Sequence, residues 1–535
     1  MIQRRLKPLR VIISILLLAA GAGVFFFGPL LANAFIRAYG YTQFVPSILK
    51  LIFWTAGPLS LIFIGLLIFV LLTGRLYCSS LCPLGTVQDA ISRLGLMVRN
   101  GKNRTQAGFT FHPRPSYQTA IRWSITLASV VLLAAGSVFL AGLLDPFGIF
   151  GRFMNHLAFP AAAGVLNPLI GLSHLTGWYG LNYIRMPTVT AAAFLITLGF
   201  FICVAAMSFF RGRLYCNLIC PVGTVLGLVN RAALFRIGFS PDLCTDCGAC
   251  EADCKAECVS VAKRTIDLER CVDCFNCVQS CPSSALRFAP AFSFRPATPG
   301  VEIDRNRRDF IKLLAKTGTA AIAGVVGTGI AAPSILSISS LGTAGADGGQ
   351  AKPVIPPGAG NYSRFFRTCV SCQLCGRVCP TGVIKPMLLE RGLTGILQPR
   401  LDFHRSYCEF HCEACTRVCP SGALRPLKPG DKQLLQLGSV EMVRADCIVY
   451  YQGTDCGACA EQCPTKAVVM VPYKNGLKVP ALYPDKCIGC GACEFYCPAK
   501  PRRAIFVAAK EVHTVRKVEA PGLPVGQSGS SGFPF

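Results

Sequence analysis

A chain of 535 residues has room for several domains, and 52% hydrophobic against 15% charged content excludes a purely aqueous protein. The formal charge of +26 suggests nucleic acid, but the basic residues gather beside apolar blocks: Arg4, Arg5, Lys7 and Arg10; Arg99, Lys102 and Arg104; Arg211 and Arg213; Arg305, Arg307 and Arg308. That is the positive-inside pattern of a membrane protein, so membrane lipid is the expected partner and nucleic acid is not.

In chain order, residues 1–235 read as a four-helix transmembrane domain, with spans at about 11–36, 47–73, 122–144 and 188–210. Each exceeds the roughly 20 apolar residues that cross a bilayer. The stretch 146–187 is apolar but holds Pro160, Pro168, Gly171 and Gly177, and reads as a loop with an interfacial or re-entrant piece. The basic N-terminal tail, the basic 74–121 loop and the basic segment after 210 place the N-terminus and residues 211 onward in the cytoplasm.

Two matching motifs close the second and fourth spans. Gly74-Arg75-Leu76-Tyr77-Cys78 leads to Cys82-Pro83, and Gly212-Arg213-Leu214-Tyr215-Cys216 leads to Cys220-Pro221. This is an internal repeat of helix pairs. Cys78, Cys82, Cys216 and Cys220 would meet near the cytoplasmic face and hold a metal or redox centre; the alternative is a structural turn with free thiols. Cys203 lies mid-helix and reads as a small core residue. His156 and His174 read as structural, with haem or quinone ligation the alternative.

Residues 236–300 read as a cytoplasmic ferredoxin domain with two [4Fe–4S] clusters. Three cysteines two residues apart wrap one face of a cluster, and a fourth, further along, ligates the other cluster of the pair. By that rule Cys244, Cys247, Cys250 and Cys281 hold one cluster, and Cys271, Cys274, Cys277 and Cys254 the second. Cys258 competes with Cys254; spacing favours Cys254.

Residues 301–345 hold a fifth predicted span. Arg307-Arg308-Asp309-Phe310-Ile311-Lys312 before a small-residue apolar run looks like a twin-arginine export signal, here internal, with a candidate cleavage step near Ala346. It would place everything after about 345 outside. Residues 346–361 read as a linker and 516–535 as a disordered tail.

Between them, 362–515 reads as an exported ferredoxin with four clusters. Cys369, Cys372, Cys375 and Cys379-Pro380 form C-x2-C-x2-C-x3-C-P, and Cys487, Cys490, Cys493 and Cys497-Pro498 repeat it. Cys408, Cys412, Cys415 and Cys419, and Cys447, Cys456, Cys459 and Cys463, keep the core with a longer first gap. The swap rule assigns Cys369, Cys372, Cys375 and Cys419; Cys408, Cys412, Cys415 and Cys379; Cys447, Cys456, Cys459 and Cys497; and Cys487, Cys490, Cys493 and Cys463. Such close spacing suits metal thiolates and not disulfides between distant segments. Twenty-four of the 30 cysteines are thereby assigned to about six clusters. The absence of C-x-x-C-H gives no sign of c-type haem.

The fold class is therefore multi-domain: an α-helical membrane bundle plus α+β two-cluster bacterial ferredoxin-like domains. With these motifs in place, residues 1–295 resemble the NapH/NosR-type membrane polyferredoxins, which have four membrane helices, two C-x3-C-P motifs and a two-cluster ferredoxin. The Leu144-Asp145-Pro146-Phe147 step also fits. Residues 303–510 resemble the NapG/MauM-type exported ferredoxins. The resemblance implies electron transfer from quinol to a periplasmic reductase, by a subunit that is not a stand-alone enzyme. It also implies quinone as a cofactor, an extracytoplasmic redox protein as partner, and a multi-pass position in a bacterial inner membrane with the C-terminal ferredoxin in the periplasm. A maturation or redox-maintenance role for a metalloenzyme is the alternative function.

Overall fold

The computed structural model describes residues 2–28, 31, 33–53, 61–100, 108–113, 115–180, 182–184, 186, 189–294 and 352–516. The twin-arginine-like segment, the fifth predicted span, the step near Ala346 and the tail from 517 lie outside these residues.

The N-terminal region is helical: α1 (Ile2–Phe26), α2 (Asn33–Tyr41), α3 (Phe44–Phe53), α4 (Ile62–Thr73), α5 (Leu76–Ser80), α6 (Pro83–Asn100), α7 (Ser116–Ala134), α8 (Phe139–Leu144), α9 (Pro146–Phe153), α10 (Phe159–Leu175), α11 (Ala191–Arg211), α12 (Leu214–Leu218) and α13 (Pro221–Asn230). Among the described residues, three stretches are long and apolar enough to cross a membrane: Arg5–Phe26, Pro146–Leu175 and Ala191–Arg211. The described residues of the predicted second span lie in two shorter apolar helices, α3 and α4. The predicted third ends early, because Gly136 at φ +83° turns the chain and α8 restarts it.

The expectation of a broken loop at 146–187 is overturned. Residues 146–175 run as α9, a π-helical turn at Met154–Ala158, and α10. Asp145 caps the start, its carboxylate accepting from Gly148 N at 2.8 Å, with Pro146 in the first helical position. The π turn immediately precedes Pro160, whose missing N–H would otherwise interrupt the ladder. Proline is tolerated in apolar helices where neighbours absorb the lost bond.

After α13 come two cysteine-rich modules. The inner one is closed by β1 (Phe235–Phe239) antiparallel to β4 (Leu286–Pro290), with β2 (Val259–Ser260) on β3 (Thr265–Ile266) between them. The outer one contains β5 (Ile384–Pro386) on β6 (Pro399–Leu401), β8 (Val468–Pro472) on β9 (Lys478–Leu482), and β7 (Leu435–Met442) on β10 (Ile505–Val515). Cysteines are themselves core residues of both modules, packed among aliphatic and aromatic side chains.

The two modules dock on opposite sides of the helical region. On the inner side, Arg75 N donates to Asp273 Oδ2 at 2.8 Å and Arg213 N donates to the Lys255 carbonyl at 2.9 Å. On the outer side, the loop 369–378 meets α8 and α9. Arg377 donates to the carbonyls of Phe25 and Phe26 at 2.7 and 3.0 Å. Gly148 lets the two backbones approach: a Cβ there would lie 2.9 Å from the Val370 carbonyl oxygen.

Candidate iron–sulfur centres and their connection

Three of the predicted ligand sets each line one cavity. Cys244, Cys247, Cys250 and Cys281 ring one. Cys379, Cys408, Cys412 and Cys415 ring a second, and Cys463, Cys487, Cys490 and Cys493 a third. In each the fourth cysteine comes from the neighbouring motif. The remaining sets converge as well. Cys375 lies within electrostatic range of Cys369, Cys372 and Cys419; Cys459 of Cys447, Cys456 and Cys497; Cys277 of Cys254, Cys271 and Cys274. At this last site Cys258 is a fifth thiol, 3.4 Å from Cys254 and hydrogen-bonded to Cys271.

The backbone explains the spacing. In the four regular units, the second and fourth residues after the first cysteine are left-handed: Asp246 and Gly248, Asp273 and Phe275, Ser371 and Gln373, Gly489 and Gly491. Alternating handedness curls successive N–H groups into an anion-binding concavity. Amide hydrogens duly reach sulfur: Asp246 to Cys244 at 3.4 Å, Gly489 to Cys487 at 3.3 Å, Ala467 to Cys463 at 3.1 Å and Leu424 to Cys419 at 3.4 Å. The two units with longer first gaps lack this left-handed pair.

These donor sets fit a polynuclear group. Among the described residues, no three His, Cys, Asp or Glu side chains converge closely enough for a single ion. Burial pushes the Cys250 thiol up to about 11 and the Cys490 thiol up to about 12. Such sulfurs lose their protons when a metal binds. A [4Fe–4S] cluster, held by four of them, would supply one-electron transfer.

The repeated motifs meet in the middle of the helical region. Cys78, Cys82, Cys216 and Cys220 are all buried and within electrostatic range of one another. The repeat is pseudo-symmetric at the level of atoms. Arg75 lies 3.9 Å from the Cys78 sulfur, and Arg213 lies 3.9 Å from the Cys216 sulfur. Arg213 also crosses to the Cys78 carbonyl at 2.9 Å. Gln88 accepts from the Cys216 thiol at 3.1 Å. Gln88 Nε2 and Arg75 Nε are buried donors with no partner, which suits an anionic guest among the four sulfurs.

Two tyrosines lead outward from this site. Tyr77 OH accepts from Phe44 N at 2.9 Å, and Tyr215 OH donates to the Leu144 carbonyl at 2.8 Å. Next to them stand Asp145 and Arg152, which lie within electrostatic range of Cys372 in the outer module. Inward, Asp89 pairs with Arg213 at 2.7 Å and with Lys255, the neighbour of Cys254, at 2.5 Å. The quartet thus stands between the Cys254–Cys277 site and the Cys369–Cys419 site. Spacing alone gave no sign of Gln88 or Asp89, which lie in the predicted 74–121 loop, whereas Asp145 stood out in the Leu144-Asp145-Pro146-Phe147 step.

Comparison with known proteins places these features in a class. A 4Fe-4S binding domain model matches residues 55–102 and again 193–240, the two motif regions. A 4Fe-4S dicluster domain model matches 368–423 and 454–500. The chain is an iron–sulfur protein built of ferredoxin domains and a helical N-terminal region. Its relatives are ferredoxin-type electron-transport proteins. It is 29% identical to the ferredoxin-type protein NapF of Escherichia coli K12 over 154 residues, 29% of this chain and 85% of that protein. It is 28% identical to the putative electron transport protein YccM of the same strain over 236 residues, 43% of this chain and 55% of that one. Over 154 residues it is 28% identical to the methylamine utilization ferredoxin-type protein MauM of Methylorubrum extorquens AM1, covering 28% of this chain and 69% of that protein. No solved structure matches the chain.

Proposed function

We propose that this protein carries electrons within a bacterial inner membrane, linking the quinol pool to an extracytoplasmic reductase through [4Fe–4S] clusters on both faces. The reading joins a NapH/NosR-like half to a NapG/MauM-like half in one chain. The observation that carries it is the buried thiol quartet between two docked ferredoxin modules. Clusters on opposite faces need an intermediate carrier, and Cys78, Cys82, Cys216 and Cys220 stand where one is required. The three long apolar helices and the basic flanks support the membrane position, with the inner module cytoplasmic and the outer periplasmic. Burial of all four sulfurs weighs against the alternative, a maturation factor, whose thiols must be reached by the metal they hand on.

The test is reduction of the anaerobic purified protein by a menaquinol analogue, followed by cluster absorbance. Bleaching comparable to that by dithionite is expected; no bleaching where dithionite bleaches refutes quinol oxidation. Replacing Cys216 and Cys220 with serine should lower bound iron and stop exchange between inner and outer clusters.

A further inference from the structure

An open cleft lies between the π turn of the helical region and the outer ferredoxin module. One wall carries Asn155 and His156; the other carries Gln373, Arg377, Lys385, Arg405 and the cluster-site cysteine Cys379. The π turn turns both polar side chains inward from an otherwise apolar helix, an arrangement common at functional sites.

The hydrogen bonds fix what these groups offer. The Thr197 hydroxyl donates to the Ala193 carbonyl at 2.8 Å, so towards His156 Nδ1, 2.9 Å away, it acts as acceptor. His156 therefore carries its proton on Nδ1 and presents Nε2 as a bare acceptor. Asn155 is 7% exposed, and its Oδ1 has no partner. Two acceptors at one wall call for a guest with hydroxyl donors. The cations of the facing wall do not call for a buried anion: Arg377 already binds two carbonyls and lies 3.6 Å from the Phe159 ring centre, Lys385 is itself partnered, and Arg405 is exposed.

We infer that this cavity binds the head of a quinol, its hydroxyls donating to His156 Nε2 and Asn155 Oδ1, beside the Cys379 cluster site of the outer module. The inference rests on the proposed quinol-linked function and specifies where the quinol sits.

The experiment uses the full chain in detergent and the quinol-site probe 2-heptyl-4-hydroxyquinoline N-oxide, read by fluorescence quenching. His156→Phe and Asn155→Leu should each weaken binding at least about tenfold, with cluster absorbance unchanged. Cys216→Ser should leave probe affinity as it is. Equal affinity in wild type and both cavity variants overturns the site while leaving the function open to its own test. Absence of probe binding and of menaquinol bleaching in the wild type sinks the function as well. Displacement of the probe by anionic lipid alone, with menadione ineffective, assigns the cavity to a headgroup and overturns the inference. Should the variants lose their clusters, an azidoquinone on the wild type decides: labelling of 154–158 or 373–386 supports the site, and labelling elsewhere refutes it.

Discussion

Asp89 offers the sharpest test of how the inner module is held. Its carboxylate pairs with Arg10 at 3.1 Å, Arg213 at 2.7 Å and Lys255 at 2.5 Å. These cations come from three separate elements, and all are buried at 5%, 1% and 5% exposure. Among the ion pairs of the described residues none of the three has another carboxylate. Burial would raise the Asp89 pKa, but Arg213, Lys255 and Arg10 together hold it below the usual carboxylate range. Asp89→Asn keeps the shape and removes the charge, leaving three desolvated cations without compensation. Breaking one buried pair costs about 3–5 kcal/mol. With three cations on one carboxylate the upper part of that range is expected, a large share of the roughly 5–15 kcal/mol of a typical domain. Guanidinium unfolding in detergent, followed by inner-cluster absorbance, measures it. An Arg213→Gln variant and the double mutant complete a cycle whose coupling should exceed about 1 kcal/mol. A loss under about 0.5 kcal/mol, or strict additivity, refutes the reasoning. The pH sign follows from the depressed pKa: this stabilisation is present in full above about pH 4 and is lost as pH falls through the folded-state value.

Gly151→Val should loosen the outer module, because a side chain there collides with the Cys372 carbonyl oxygen and with Phe25. A penalty of about 1–3 kcal/mol is expected, read as faster amide exchange over 367–378; Gly23→Ala, at a site with nothing within 4 Å, is the control. Asp273→Ala removes the acceptor of Arg75 N and should cost about 1–3 kcal/mol for the stranded donor. A shift in the inner-cluster EPR signal with outer signals unmoved would accompany it. Oxidative removal of iron from the full chain should abolish the cooperative unfolding of the outer module, since its core residues include Cys369, Cys408, Cys415 and Cys490. A preserved transition would show that the aliphatic residues suffice.

The sequence announced the ferredoxin loops because cluster chemistry is local: three cysteines two residues apart define a site within one turn. The helix at 146–175 was hidden because proline and glycine argue for a break when read singly. Here a π turn placed before Pro160 and an aspartate cap at Asp145 absorb the disruption. The Gly-Arg-Leu-Tyr-Cys repeat was visible, but its arginines gave no hint of their partners. Arg75 and Arg213 acquire meaning through contacts with Asp273, Lys255 and Asp89, far away in the chain. His156 was singled out, with haem or quinone ligation as the alternative to a structural role, but Asn155 was not, since a cleft between two domains has no signature in either.

The last strand has a consequence in time. Val512 bridges to Asn361, His513 N donates to the Gly360 carbonyl at 2.7 Å, and Arg516 N donates to Leu434. The first helix of the outer module is therefore latched by a strand synthesised some 150 residues later. At about 5–20 residues per second, it waits roughly ten to thirty seconds on the ribosome before it can close. Throughout that interval the module's thiols stand open in the nascent chain. Delivery of iron and sulfide has to keep pace with translation, or the cysteines face oxidants before the fold can hide them.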